Sequence, residues 1–194
     1  SSTSSGGGGS IYCASSDLLM LVESTTFINS QSSGLGGAIH FNGGSQFVMA
    51  KVCAHGCKTT SSNCLCYRIV ISGDISYKNE VHDSAICFSI QPSYGYETQH
   101  SWGKVVIKQT NFSSNSCSYY SSIFIQHSSN SVASSISYTS VANNVDSSGY
   151  CIHLDSSYLH EVDSCNFISN TDKSSSSGLM KVYGPLNLRG SCIV

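Results

Sequence analysis

A short pattern recurs seven times along this chain: an apolar residue, two variable positions, a small residue, one variable position and a second apolar residue. The instances run from Val22 to Phe27, Phe47 to Val52, Val70 to Ile75, Ile107 to Phe112, Ile136 to Val141, Val162 to Phe167 and Leu188 to Ile193. Their fourth positions, Thr25, Ala50, Gly73, Thr110, Thr139, Cys165 and Ser191, are all small. With the second apolar residue as anchor, successive repeats lie 25, 23, 37, 29, 26 and 26 residues apart. Such a period marks architectures in which each unit buries its apolar face only by stacking on its neighbours.

Between the anchors a second apolar segment recurs, at Ala38 to Phe41, Leu65 to Tyr67, Ala85 to Phe88, Ile123 to Ile125, Tyr150 to Leu154 and Leu179 to Val182. These runs are short, they alternate, and Ser, Gly or Asn clusters bound them, which is the signature of strands rather than helices. The pattern therefore predicts an all-β, right-handed, single-stranded parallel β-helix of about six turns, each of about 25 residues. Residues 1–10, rich in Ser and Gly, read as a linker or frayed end. Residues 11–194 form the β-helix domain. The longest interval places a lateral insertion at about 91–102.

Stacking also accounts for the composition. Equivalent residues of adjacent turns lie one strand spacing apart, so a column of like charges repels itself, whereas columns of Ser, Thr or Asn hydrogen-bond along the axis. Charged residues make up only 10% of the chain and the formal net charge is −2. This weak field argues against nucleic acid or an anionic membrane as partner. Asn115, Asn144 and Asn170 each fall three residues after an anchor, a spacing that predicts an internal asparagine ladder. Earlier turns place Ser30, His55 and Lys78 at that slot.

Ten cysteines in 194 residues fit an oxidising, extracellular compartment. No signal-like or membrane-spanning apolar run is visible, so direct membrane insertion of this segment is not expected. Neither end shows a polar cap, which reads as a piece of a longer chain or, alternatively, as ends that pair head to tail.

Gly36-Gly37-Ala38-Ile39 and the Phe-x-x-Asn tetrapeptides at Phe112 to Asn115 and Phe167 to Asn170 resemble the repeats of the polymorphic outer membrane proteins of chlamydiae. The stretch from Thr25 through Thr60 is most similar to the related repeats on trichomonad parasites. The resemblance implies a β-helix displayed on the cell surface, with adhesion as its usual role. The sequence departs from that pattern where Asp83-Ser84-Ala85 and Ser148-Gly149-Tyr150 stand in place of Gly-Gly-Ala.

Four groups of residues could carry chemistry. Cys53, His55, Cys57, Cys64 and Cys66 contain zinc-ligand types, but gaps of three and one do not repeat the two-residue knuckle spacing, and disulfides or buried thiols are the better reading. Cys57 and Cys117 share a slot five past their anchors. We expect neither metal nor cofactor. Asp146 and Asp172 share a slot on adjacent turns and could act as paired carboxylates in a polysaccharide lyase or glycosidase, or simply as solvated bend residues. Tyr94, Tyr96, His100 and Trp102 concentrate rings with polar handles in the insertion, which suits contact with glycan or protein. The sequon at Asn111 places an acceptor on an outward-facing strand position. His40 and His153 are expected at exposed strand positions.

The leading expectation is a secreted or cell-surface structural and adhesive rod, not an enzyme, whose loops contact a glycan or a surface protein of another cell. Alternatives are a β-helical polysaccharide-degrading enzyme and an extracellular fibre subunit whose copies join end to end.

Overall fold

The computed structural model describes residues 2–60, 66–71, 76–90, 95–126, 133–147, 149–174 and 178–194. These form no helix; all regular structure is parallel strand, wound as a β-solenoid of about six turns. Three seven-stranded sheets make its walls. Face I holds Ile11–Ser15, Ile39–Gly43, Tyr67–Ile71, Thr98–Ser101, Ile123–Gln126, Ile152–Asp155 and Met180–Tyr183. Face II runs from Met20–Glu23 through Phe47–Ala50, Lys78–His82, Lys104–Lys108, Ser134–Ser137 and His160–Asp163 to Leu186–Arg189. Face III comprises the shorter strands Thr26–Ile28, Cys53–His55, Ala85–Cys87, Asn111–Ser113, Ser140–Ala142, Asn166–Ile168 and Cys192–Ile193.

The inward residue of each strand defines a column. On face III the column reads Phe27, Ala54, Ile86, Phe112, Val141, Phe167 and Ile193. Face II contributes Val22, Met49, Val81, Ile107, Ile136, Val162 and Leu188. From Val22 to Val162 and from Phe27 to Phe167 these side chains belong to one continuous buried core. Burying each large aliphatic or aromatic side chain contributes about 1.5–3 kcal/mol, so the stacked columns are the main source of stability.

Two anchors differ from the sequence expectation. Ala54 takes the slot assigned to Val52, and Ile86 takes the one assigned to Ile75, which lies outside the described residues. Face III intervals are therefore 27, 32, 26, 29, 26 and 26 residues, so the longest falls from 37 to 32 and lies between Ala54 and Ile86. The slot three past the anchor accordingly holds Ser30, Cys57 and Ser89 before the asparagines, not Ser30, His55 and Lys78. Cys57 and Cys117 stand in different columns, three and five past Ala54 and Phe112.

The lateral insertion is also corrected. Thr98–Ser101 is a regular face I strand, paired with Tyr67–Ile71 on one side and Ile123–Gln126 on the other. Residues 91–94 lie outside the described set. Polarity hid the strand: His100 is fully buried in the inward column between Ile69 and Ile125. It is tolerated there because both ring nitrogens are bonded, Nδ1 to Asn79 Oδ1 at 2.7 Å and Nε2 to the Tyr67 hydroxyl at 2.9 Å.

Residues 1–10 are not a linker over their described part. Thr3–Ser4 pairs with Gln31–Ser32, and the Gly8 and Gly9 amides donate to the Leu35 and Gly36 carbonyls at 2.7 and 3.1 Å. Gly8-Gly9-Ser10-Ile11 thus stacks on Gly36-Gly37-Ala38-Ile39 as a second copy of the same bend. Gly8 and Gly36 adopt φ of 67° and 68°, and a Cβ at either would strike the backbone carbonyl three residues on.

Two further columns of left-handed residues bracket face III. Ser24, Lys51, Asp83, Gln109, Tyr138, Ser164 and Gly190 precede its strands, and Asn29, Gly56, Phe88, Ser114, Asn143 and Ser169 follow them. Each non-glycine residue in this conformation costs about 1–2 kcal/mol. Hydroxyls after the first bend offset it, because Thr25, Ser84, Thr110, Thr139 and Ser191 each donate to the carbonyl two residues earlier at 2.8–3.0 Å. The Cys165 thiol makes the same contact with the Asp163 carbonyl at 3.3 Å, and in the second coil Val52 stands at this place without it.

Candidate binding face

The outward column of face I is the most differentiated surface of the solenoid. In register it runs Tyr12, His40, Arg68, Gln99, Phe124, His153 and Lys181. Phe124 is buried yet belongs to no part of the interior core, as its position on the outer side requires.

The first half of the column is polar. Arg68 Nε donates to Gln99 Oε1 at 2.9 Å, and its Nη1 lies 3.2 Å from His40 Nε2. The Tyr12 ring meets the His40 ring edge-on at 5.3 Å. Burial, aided by the Arg68 charge, lowers the His40 pKa from 6.5 to about 4, so this ring is neutral at physiological pH.

The second half is aromatic. Tyr96 stacks on Tyr120 with ring centroids 5.1 Å apart and planes 13° apart. Tyr120 continues onto Phe124 at 5.0 Å and onto His153 at 4.5 Å. His153 then reaches Tyr183 at 5.6 Å, and the Lys181 ammonium sits 5.2 Å from the Tyr150 ring centre and 5.0 Å from that of Tyr183. Aromatic pairs of this kind contribute about 0.5–1.5 kcal/mol beyond the area they bury. Desolvation lowers the His153 pKa to about 4, with Lys181 acting in the same direction and Asp155 opposing, and it raises that of Tyr120 to about 12. The outcome is a row of neutral rings carrying phenol hydroxyls and ending in one cation. Tyr96 and Tyr120 engage each other's faces across adjacent coils. Such a surface offers hydrogen bonds and apolar contact.

The structure distributes the sequence candidates unevenly. Tyr96 joins this row. Tyr94 lies outside the described residues. His100 is withdrawn into the core, and its two bonded nitrogens leave nothing for a ligand. Trp102 is 39% exposed at a left-handed bend of φ 63°, where its carbonyl accepts from Asn79 Nδ2 at 3.0 Å. His40 and His153 point outward as expected but are covered by their neighbours, not exposed.

Asp146 and Asp172 are cross-strand partners. Their carboxylates serve their own bends: Asp146 Oδ1 accepts from the Gly149 amide at 2.6 Å and Asp172 Oδ1 from the Ser174 amide at 2.7 Å. Asn111 is exposed at the outward start of its face III strand. The described cysteines are all free thiols, and among the described residues no three His, Cys, Asp or Glu side chains come together to hold a metal ion.

Sequence reasoning missed Arg68, Tyr120, Phe124, Tyr150, His153, Lys181 and Tyr183 as one surface. The available signal was the recurrence of a ring at the middle of successive face I strands: Tyr12, His40, Phe124 and His153. No family model, curated protein or solved structure matches the chain.

Proposed function

We propose that this chain is an extracellular, surface-displayed structural and adhesive rod, and that it contacts glycan through the outer row of face I. The observation that carries the reading is the continuous ring row from Tyr96 through Tyr120, Phe124 and His153 to Tyr183, closed by Lys181. Three sheets lock its geometry, so a partner bound there meets preorganised groups and little ordering entropy opposes binding. Phenol hydroxyls and one ammonium suit a hydroxyl-rich polymer, while the charge content of 10% gives little steering toward a highly charged one. Low charge, abundant Ser and ten cysteines support the extracellular setting.

A glycan array probed with the wild-type chain and with the Tyr183→Ala/Lys181→Ala variant tests this. Binding to a defined glycan set, reduced at least tenfold in the variant, is expected. A blank array accompanied by cleavage of a polysaccharide would replace adhesion with the lyase or glycosidase reading. Retained binding in the variant would move the contact to another face.

A further inference from the structure

The corner joining the exit of face III to the entry of face I packs two inward columns against each other. One is the slot three past the anchor, Ser30, Cys57, Ser89, Asn115, Asn144 and Asn170. The other is the residue preceding each face I strand, Ser10, Ala38, Cys66, Glu97, Ser122 and Cys151. Side chains of the two columns come within bonding reach: Ser10 Oγ lies 2.7 Å from Ser30 Oγ. Further along the same corner stand Cys57 and Cys66, 0% and 1% exposed: Cys57 follows the Ala54 anchor by three, Cys66 immediately precedes the strand Tyr67–Ile71 that stacks on Ile39–Gly43, and each is the leading influence on the other's ionisation, lowering the Cys57 pKa and raising that of Cys66. At each of the two cysteines the described backbone is bonded to neighbouring coils. Lys58 donates to Ser30 at 2.9 Å, Cys66 donates to Glu97 at 2.9 Å, and the Cys66 carbonyl accepts from Ala38 at 2.7 Å.

We propose that Cys57 and Cys66 are joined as a disulfide when the chain folds under oxidising conditions. With a small-molecule disulfide such as glutathione disulfide as oxidant, one protein thiolate attacks it and releases one glutathione thiolate, giving a mixed disulfide. The second protein thiolate then attacks the protein-side sulfur and displaces the other glutathione. Two protein thiols are oxidised, one glutathione disulfide is reduced to two thiols, and the two protons from the cysteines end on the released glutathiones. Glu97 is fully buried one coil beyond Cys66, and desolvation pushes its carboxyl pKa up.

The test is peptide mapping after refolding in a glutathione redox buffer. Trypsin cuts after Lys51, Lys58 and Arg68, and in the Cys53→Ser/Cys64→Ser variant the fragments 52–58 and 59–68 each carry one cysteine. The expected result is a linked pair of these fragments, about 2 Da lighter than their sum, and its loss in the further variant Cys57→Ser. That substitution is compatible with folding because Ser30 and Ser89 already occupy the same column. Alkylation of both thiols in correctly refolded protein, or linkage of Cys57 to another cysteine, would overturn the proposal. In the native sequence, oxidised protein should melt roughly 5–10 °C above reduced protein, and Cys57→Ser/Cys66→Ser should abolish that difference. An unchanged difference would also overturn it.

Discussion

Asn144 Nδ2 donates to the Phe112 carbonyl at 3.0 Å while its Oδ1 accepts from the Asn115 amide at 3.0 Å, so one side chain ties two backbone groups of the neighbouring coil. Asn115 and Asn170 repeat the arrangement, reaching Ile86 and Val141 respectively at 3.1 and 2.7 Å. In the second coil Cys57 occupies the same place, with its sulfur 3.9 Å from the Phe27 carbonyl. The ladder is thus a substitute for backbone pairing at a corner where the strands break.

Asn144→Ala should destabilise the fold by about 2–4 kcal/mol, because it leaves a buried amide and a buried carbonyl without partners. Asn144→Ser, the residue used at Ser30 and Ser89, should cost less. Urea denaturation of both variants measures the difference.

His40 and His153 make stability depend on pH. Their folded pKa values of about 4 lie below the ordinary histidine value of 6.5, so between those limits the unfolded chain binds more protons than the folded one. Stability is complete above about pH 6.5 and falls as pH drops toward 4, with each histidine adding at most about 1.4 kcal/mol per pH unit. His153→Phe, which matches Phe124 in the same column, should flatten the slope by one proton. Unfolding midpoints at pH 7 and pH 5 test it; equal slopes in both proteins would remove His153 from the account.

His100 separates core from site. His100→Leu strands the Tyr67 hydroxyl and the Asn79 side-chain oxygen and should cost about 2–4 kcal/mol. Ligand binding per folded molecule should be unchanged. A loss of binding at full stability, seen by comparing melting and titration of the same sample, would return His100 to the surface.

The legible part of the fold was the part whose inward residues are large. From Phe112 onward, Val141, Phe167 and Ile193 stand in register as their spacing implied. The frame slipped at Ala54, a small anchor flanked by the more conspicuous Val52, and again at Thr98–Ser101, a buried strand built from polar residues. A histidine satisfied by a tyrosine and an asparagine from other coils looks like surface until those partners are placed. Gly8-Gly9 was hidden by its Ser/Gly surroundings. The binding face was least legible, since a ring at a strand position points outward or inward according to a register that only the stacked coils supply.

Hydroxyl-radical footprinting of the chain with and without a glycan identified on the array tests the central claim most directly. Protection confined to the peptides bearing Tyr96, Tyr120, Tyr150, Lys181 and Tyr183, with faces II and III unchanged, is the predicted result. Protection on face II or face III, with those tyrosines equally reactive in both states, would contradict it.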